Sequence, residues 1–265
     1  AMSRTVAYCL VGLMCLTVPV AAHEVKVFAS NYLLADDTSK TTVYLSWGHR
    51  VPVDELTDAA TIERYVWINT EGKLTTLKAE GKSLQANVVQ GKEPGIYQVA
   101  VTRKPSVFTY VLDSEGNRQL KRGPRSSHEG ANIHSAMRSV QSAKTLLCLG
   151  KPGDKAPAPA GLPLEILPVV GPSGWKTRGE IRFRVLLEGK PLSSAQVLAR
   201  SLNFKPENAW NYATTSDRKG EFTLVPNTAG TWLIKVNTRR PSDAKVRREY
   251  DEESFTTTLS LEVQP

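Results

Sequence analysis

Short runs of alternating apolar and polar residues, each closed by a turn, recur along most of the chain and predict strands rather than helices. Val25, Val27 and Ala29 open the series. The stretch 42–47 is rich in β-branched and aromatic residues and stops at Gly48. Residues 64–69 run into a turn over 70–73, and 74–77 follow as the hairpin partner. Residues 84–89, 95–101 and 107–112 predict three more strands, the last closed by the polar turn 113–117. Strands at spacings of roughly ten residues point to an antiparallel sandwich. Helical periodicity is scarce. The best helix candidates are 53–63 and a turn or two within 132–142.

Residues 151–161 are rich in Pro, Ala and Gly and lack apolar periodicity, the pattern of an extended, semi-stiff linker at a domain boundary. Beyond it the pattern resumes at 164–167. Residues 181–187 alternate strictly at first, 188–192 is a turn, and 195–199 is the expected return strand. Two further strands flank the turn 217–220, 230–236 has the apolar spacing of a central strand, and 254–263 closes the sheet. About seven strands in about 100 residues is the arithmetic of an immunoglobulin-like sandwich. The expected class is therefore all-β: two antiparallel immunoglobulin-like β-sandwich domains, 23–150 and 162–265, joined by the linker 151–161.

The segment 1–22 departs from this pattern. Arg4 precedes an apolar run over 6–18, and Val20 and Ala22 stand three and one residues before a cut that would leave His23 first. That is the arrangement of a secretory signal peptide, with an apolar run short of the roughly 20 residues of a membrane span. The expected location is periplasmic or secreted. Cleavage removes Cys9 and Cys15, leaving Cys148 alone in an apolar stretch, where a buried structural thiol is expected.

The formal charge is +8; segment 1–22 holds Arg4 and no acid, so the remainder carries 8 − 1 = +7. Basic residues are interleaved with acids, and the tightest cluster, 121–125, contains no aromatic residue, so no nucleic-acid partner is expected. No phosphate-binding loop points to a nucleotide. There is no Cys-x-x-Cys, His-Glu-x-x-His or Gly-x-Ser-x-Gly motif, and no enzymatic activity is expected.

The candidate chemistry lies in four histidines. An exposed first-residue His23 carries an α-amine and an imidazole, both with neutral donor forms near neutral pH. His49 follows Gly48 at a strand end, where a ring can be presented. His128 and His134 lie six apart in a polar stretch, and Asp54 and Glu55 can add carboxylates. Borderline metals such as nickel, cobalt, copper and zinc favour imidazole. The expected site is one transition-metal ion (nickel, cobalt or copper) on His23 and His49, with His128, His134 and Asp54 as further donors. The alternative is a metal-independent module binding glycan or protein, with Trp175 and Trp210 as exposed loop contacts and Trp47, Trp67 and Trp232 in the core.

Two resemblances add to this. The cadence of 189–192, 195–197, 215–222 and 230–232 resembles transthyretin-like or carboxypeptidase-regulatory sandwiches, which implies fold only. Ala22-His23, the stretch Trp47-Gly48-His49-Arg50-Val51-Pro52-Val53-Asp54 and residues 139–144 resemble a bacterial family of secreted proteins of undefined function, often labelled as a periplasmic component of nickel or cobalt uptake. That resemblance implies capture of a metal ion and its hand-over to a membrane transporter, which would supply the energy.

Overall fold

The computed structural model describes residues 23–205 and 209–265, so the expected signal segment 1–22 lies outside the described residues. Every regular element among them is a strand or a single 3-10 turn. In the first half the strands are β1 (Glu24–Ala29), β2 (Leu33–Leu34), β3 (Lys40–Gly48), β4 (Thr57–Asp58), β5 (Ile62–Ile68), β6 (Leu74–Thr76), β7 (Lys82–Ser83), β8 (Ala86–Gln90), β9 (Gly95–Arg103), β10 (Ser106–Leu112), β11 (Arg118–Arg122) and β12 (Asn132–Leu149). The second half adds β13 (Leu164–Pro168), β14 (Ile181–Leu187), β15 (Lys190–Pro191), β16 (Gln196–Ser201), β17 (Tyr212–Thr215), β18 (Glu221–Leu224), β19 (Gly230–Pro241) and β20 (Glu252–Val263).

Both helix expectations fail. Residues 57–58 pair with 82–83 as β4 and β7, Asp58 caps one 3-10 turn over Ala59–Thr61, and β5 follows at once. Residues 132–142 open β12, an 18-residue strand. Its Ser, Ala and Met content does not favour a strand locally. It becomes one because β10 and β20 supply ladder partners along it, and strand preference follows neighbours more than intrinsic propensity.

A three-stranded sheet, β1-β3-β8, covers one end of a long sheet ordered β17-β16-β19-β20-β12-β9-β5-β6. The sheet β13-β14-β15, with β18 beside β14, covers the other end. One apolar cluster lies under the first cover, with Val27, Val43, Leu45, Tyr97, Val99 and Leu147 at its centre. A second lies under the other cover, built on Ile181, Phe183, Val185, Val197, Trp232 and Leu259. Each is drawn almost wholly from one half of the chain; β12 crosses between them, contributing Val140 and Leu146 to the second cluster and Ala143, Leu147 and Leu149 to the first.

Apart from the short parallel pairing of β2 with the end of β12, strand pairing within each half is antiparallel, but the seam is not. Met137–Thr145 of β12 pairs in parallel with Glu252–Ser260 of β20. Residues 254–263 are thus an internal strand between β19 and β12 rather than a closing edge. The expected return strand 195–199 does not pair with 181–187 either. After the short β14–β15 hairpin the chain crosses to the opposite sheet, where β16 pairs with β17 and β19. The alternating faces of β16 bury Val197 and Ala199 against the second cluster from that side.

The polar run in β20 has a physical reason. Thr258 and Ser260 are buried, and their hydroxyls donate to the carbonyls of Val25 (2.9 Å) and Val27 (2.6 Å) of β1. Buried carbonyls must find donors, and β20 supplies them across the sheet interface.

The segment 151–161 has no regular structure, yet it is held at its end. Gln98 Nε2 donates to the carbonyl of Ala158 (2.9 Å) and Arg64 Nη1 to that of Ala160 (3.0 Å). Ala160 and Leu162 cover Val66, Ile68 and Ala100 on the outer face of β5 and β9. Glu165 accepts from the backbone N–H groups of Ala160, Gly161 and Leu162 and from Lys144. Cys148 is a free buried thiol in β12, pushed up from its ordinary pKa by burial, as expected of a structural cysteine.

Candidate functional site

His23 immediately precedes β1, and His49 follows the last residue of β3. These strands are antiparallel neighbours with Glu24 opposite Gly48, so the two histidines meet at one corner of the sheet. Their ring centroids are 4.3 Å apart. The His23 ring also stacks on Trp47, 5.5 Å away and 22° from parallel. His23 is not a frayed end: Gln141 Nε2 of β12 donates to its carbonyl at 2.9 Å.

The loop after β3 supplies two carboxylates with different tasks. Glu55 Oε1 lies 2.7 Å from His23 Nε2. A carboxylate is an acceptor only, so Nε2 carries a proton, and in the neutral ring Nδ1 is the nitrogen with the lone pair. Asp54 Oδ2 accepts from the backbone N–H groups of His49 (2.8 Å) and Arg50 (3.1 Å). Those two N–H groups, Arg50 first, hold the Asp54 carboxyl below the usual carboxylate range. Asp54 therefore shapes the turn that presents His49 rather than turning its charge toward the rings. Gly48 is required for the same turn: its φ is +114°, and a Cβ there would stand 2.5 Å from Asp54 Oδ2.

Beneath the site is a buried charge network. Lys26 is fully enclosed and donates to the Gly48 carbonyl at 2.6 Å. Glu24 lies 3.9 Å from Lys26 Nζ and pairs with Lys235 of β19. Burial pushes the Lys26 ammonium down to about 8, against the opposing pull of Glu24. On the rim, the Arg103 guanidinium lies 3.4 Å from the centroid of the Trp47 ring.

The structure thus brings His23, His49 and Asp54 together and leaves the other two histidines elsewhere. His128 sits in the 3-10 turn Arg125–His128, with Nε2 3.1 Å from the Arg122 carbonyl. His134 is exposed on β12, seven residues from Gln141; at ~3.3 Å per residue this is about 23 Å along the strand. Neither joins the His23–His49 pair. Trp175 is also not an exposed contact: it is 3% exposed, with its ring N–H donating to Val170. Trp47, expected in the core, is half-exposed at the site. Sequence reasoning offered Glu55 as a second carboxylate beside Asp54 but missed its hold on the His23 ring. It also missed Trp47, Lys26 and Gln141, whose roles depend on strand register. Among the described residues no group of three or more His, Cys, Asp or Glu side chains is placed to hold a metal ion.

The sequence matches the family described as "Domain of unknown function (DUF4198)" over residues 20–240. No curated protein matches it. Similar solved structures include the D0-D1 domain of intimin, with 14% identity, 92% of this chain and 100% of that chain covered, and a TM-score of 0.21. Others are the fibronectin(III)-like modules of Clostridium thermocellum CbhA (10% identity, 88% and 93% covered, TM-score 0.20) and a tetra-tandem repeat in the extending region of a large adhesion protein (9% identity, 92% and 75% covered, TM-score 0.20).

Proposed function

The chain belongs to the DUF4198 family, and we propose that it is an extracytoplasmic binding protein that captures a divalent transition-metal ion at His23 and His49 for a membrane transporter. The observation that carries this reading is the pairing of the two rings, 4.3 Å apart at adjacent strand ends, with Glu55 on the far nitrogen of one of them. Histidine ligands commonly donate their second ring N–H to a carboxylate, which fixes ring and tautomer. Glu55 does this for His23 and leaves Nδ1 available.

Two rings alone make a weak site, and among the described residues the side chains offer no third donor in place. Cleavage after Ala22 supplies one. The freed α-amine of His23 and Nδ1 of the same residue close a six-membered chelate, and the His49 ring adds a third nitrogen. Such a nitrogen set suits nickel, cobalt and copper and disfavours calcium and magnesium, which take oxygen. Nickel and cobalt are preferred here on the family resemblance of the Trp47–Asp54 stretch. The ion is cargo, and hand-over requires only that a partner offer a better donor set.

The test is metal titration of protein whose first residue is His23, followed by calorimetry and native mass spectrometry. The reading expects one Ni(II), Co(II) or Cu(II) per chain and a large loss on adding one alanine before His23, which removes the amine but keeps both rings. His49→Ala should lose binding as well. Glu55→Gln should weaken it by about 10–100-fold. Equal affinity of the extended and the His23-first proteins would overturn the reading.

A further inference from the structure

The β10–β11 hairpin has two unlike faces. Side chains of directly paired residues lie on the same side of the sheet, and Phe108 pairs with Arg122, Tyr110 with Leu120, and Leu112 with Arg118. These six residues therefore form one outward face. The intervening Thr109 and Val111 point the other way and are buried. The outward face is an apolar and aromatic stripe with an arginine at each end. Leu120 is 52% exposed, and the whole of β11 is exposed. The Arg122 guanidinium lies 5.9 Å from the Phe108 ring centroid, which keeps its charge beside the stripe.

The charge of this region is unbalanced. Among the described residues no ion pair holds Arg118, Lys121 or Arg122, nor the neighbouring Arg103 and Lys104, whereas Arg125 and Arg138 are paired with Asp251 and Glu253. Burial, reinforced by the like charge of Arg122 and opposed by Asp58, lowers the Arg103 guanidinium to about 10. The acids of the hairpin are confined to its tip. There Asp113 accepts from the backbone N–H groups of Glu115 and Asn117, and Glu115 faces Asn117.

We propose that this face of β10–β11 docks on an anionic phospholipid bilayer, with Arg118 and Arg122 on headgroup phosphates and the Phe108–Tyr110–Leu120 stripe in the interfacial layer. Guanidinium groups and aromatic rings favour that layer, and the anionic surface potential adds attraction for each unpaired cation. An acidic polysaccharide would satisfy the arginines but leave Leu112 and Leu120 in water, so the stripe favours lipid. The proposal is independent of metal capture, and its test is carried out without metal.

The experiment is co-sedimentation of the chain starting at His23 with vesicles of 70% phosphatidylethanolamine and 30% phosphatidylglycerol, beside phosphatidylcholine vesicles. Binding is expected to the anionic vesicles only, and to fall steeply between low and high salt. Arg118→Glu with Arg122→Glu should weaken it at least tenfold, and Leu120→Ser should weaken it at unchanged net charge. Lys151→Glu with Lys155→Glu, which changes the charge by the same amount in the linker, should retain most of it. Intrinsic melting curves identify any variant that fails to fold, and Leu120→Ser on the exposed surface then carries the test. Failure to bind anionic vesicles, equal binding to phosphatidylcholine, or equal loss in the linker variant would overturn the proposal.

Discussion

Nζ of Lys144 lies 2.6 Å from Oε1 of Glu165, and both side chains are sealed from solvent. The pair joins the longest strand, β12, to the first strand of the second half, and the same carboxylate holds the N–H groups of Ala160, Gly161 and Leu162 where the linker ends. Burial lowers the Lys144 ammonium pKa, and Glu165 works against that shift. Removing one partner leaves an uncompensated buried charge, which costs about 3–5 kcal/mol. Glu165→Gln should therefore lower the urea midpoint strongly. Lys144→Met with Glu165→Leu should recover only part of the loss, because the N–H groups of Ala160, Gly161 and Leu162 still lack their acceptor. Full recovery in urea melts would contradict the staple role.

Gly48→Ala separates the turn from the strands that carry it. The residue would be forced to keep a left-handed φ and to meet Asp54 Oδ2. Strain of that kind costs about 1–3 kcal/mol, and a Tm measurement checks it. The variant should also lose metal affinity, since Asp54 and the N–H of His49 move together. A variant that melts lower but binds metal as before would detach the turn from the site.

Asp54 predicts an acid-side effect. Its folded-state pKa is held below its unfolded value by the N–H groups of Arg50 and His49. Its contribution to stability is then present above the unfolded pKa and is lost as pH falls through the folded one. The wild-type protein should exceed Asp54→Asn in Tm at neutral pH, with the gap closing in strongly acid solution. A gap that stays constant with pH would show that the carboxylate charge is not what the turn uses.

Lys26 predicts the opposite end of the scale. Burial, opposed by Glu24 and aided by Lys235, brings its pKa from 10.5 to about 8. Between those values the unfolded chain binds the proton and the folded one does not, so stability rises with pH across that window. The group's contribution is about 2–4 kcal/mol. Chemical denaturation of wild type and Lys26→Met at pH 7, 8.5 and 10 measures it; the difference between the two proteins should change across the window.

Trp47 offers a local reporter. Its ring stacks on that of His23, while Trp67, Trp175 and Trp232 are buried. Binding of paramagnetic Ni(II) or Cu(II) at His23 should quench emission, and Trp47→Phe should remove most of the quench. An undiminished quench in Trp47→Phe would place the ion elsewhere.

The sequence by itself determined the all-β class, most strand positions and the turns, because alternation and turn residues are local signals. The turn 113–117 and the hairpin 64–77 are legible from neighbouring residues alone. The choice of His23 and His49 as candidates comes from the family resemblance of the stretches around Ala22 and Gly48, not from a local pattern. Tertiary structure decided the rest. Ladder partners in β10 and, 115 residues away, in β20 made 132–142 extended where its composition reads otherwise, and the parallel seam of β12 with β20 leaves no mark in either strand's own pattern. The register of β1 on β3 set the His23–His49 distance, and it alone separated Glu55, which orients a ring, from Asp54, which closes a turn. It also excluded His128 and His134, whose residue type matched but whose place in the fold did not. Side-chain chemistry is written residue by residue, whereas the convergence that makes a site depends on pairings between distant strands, and no local window contains those.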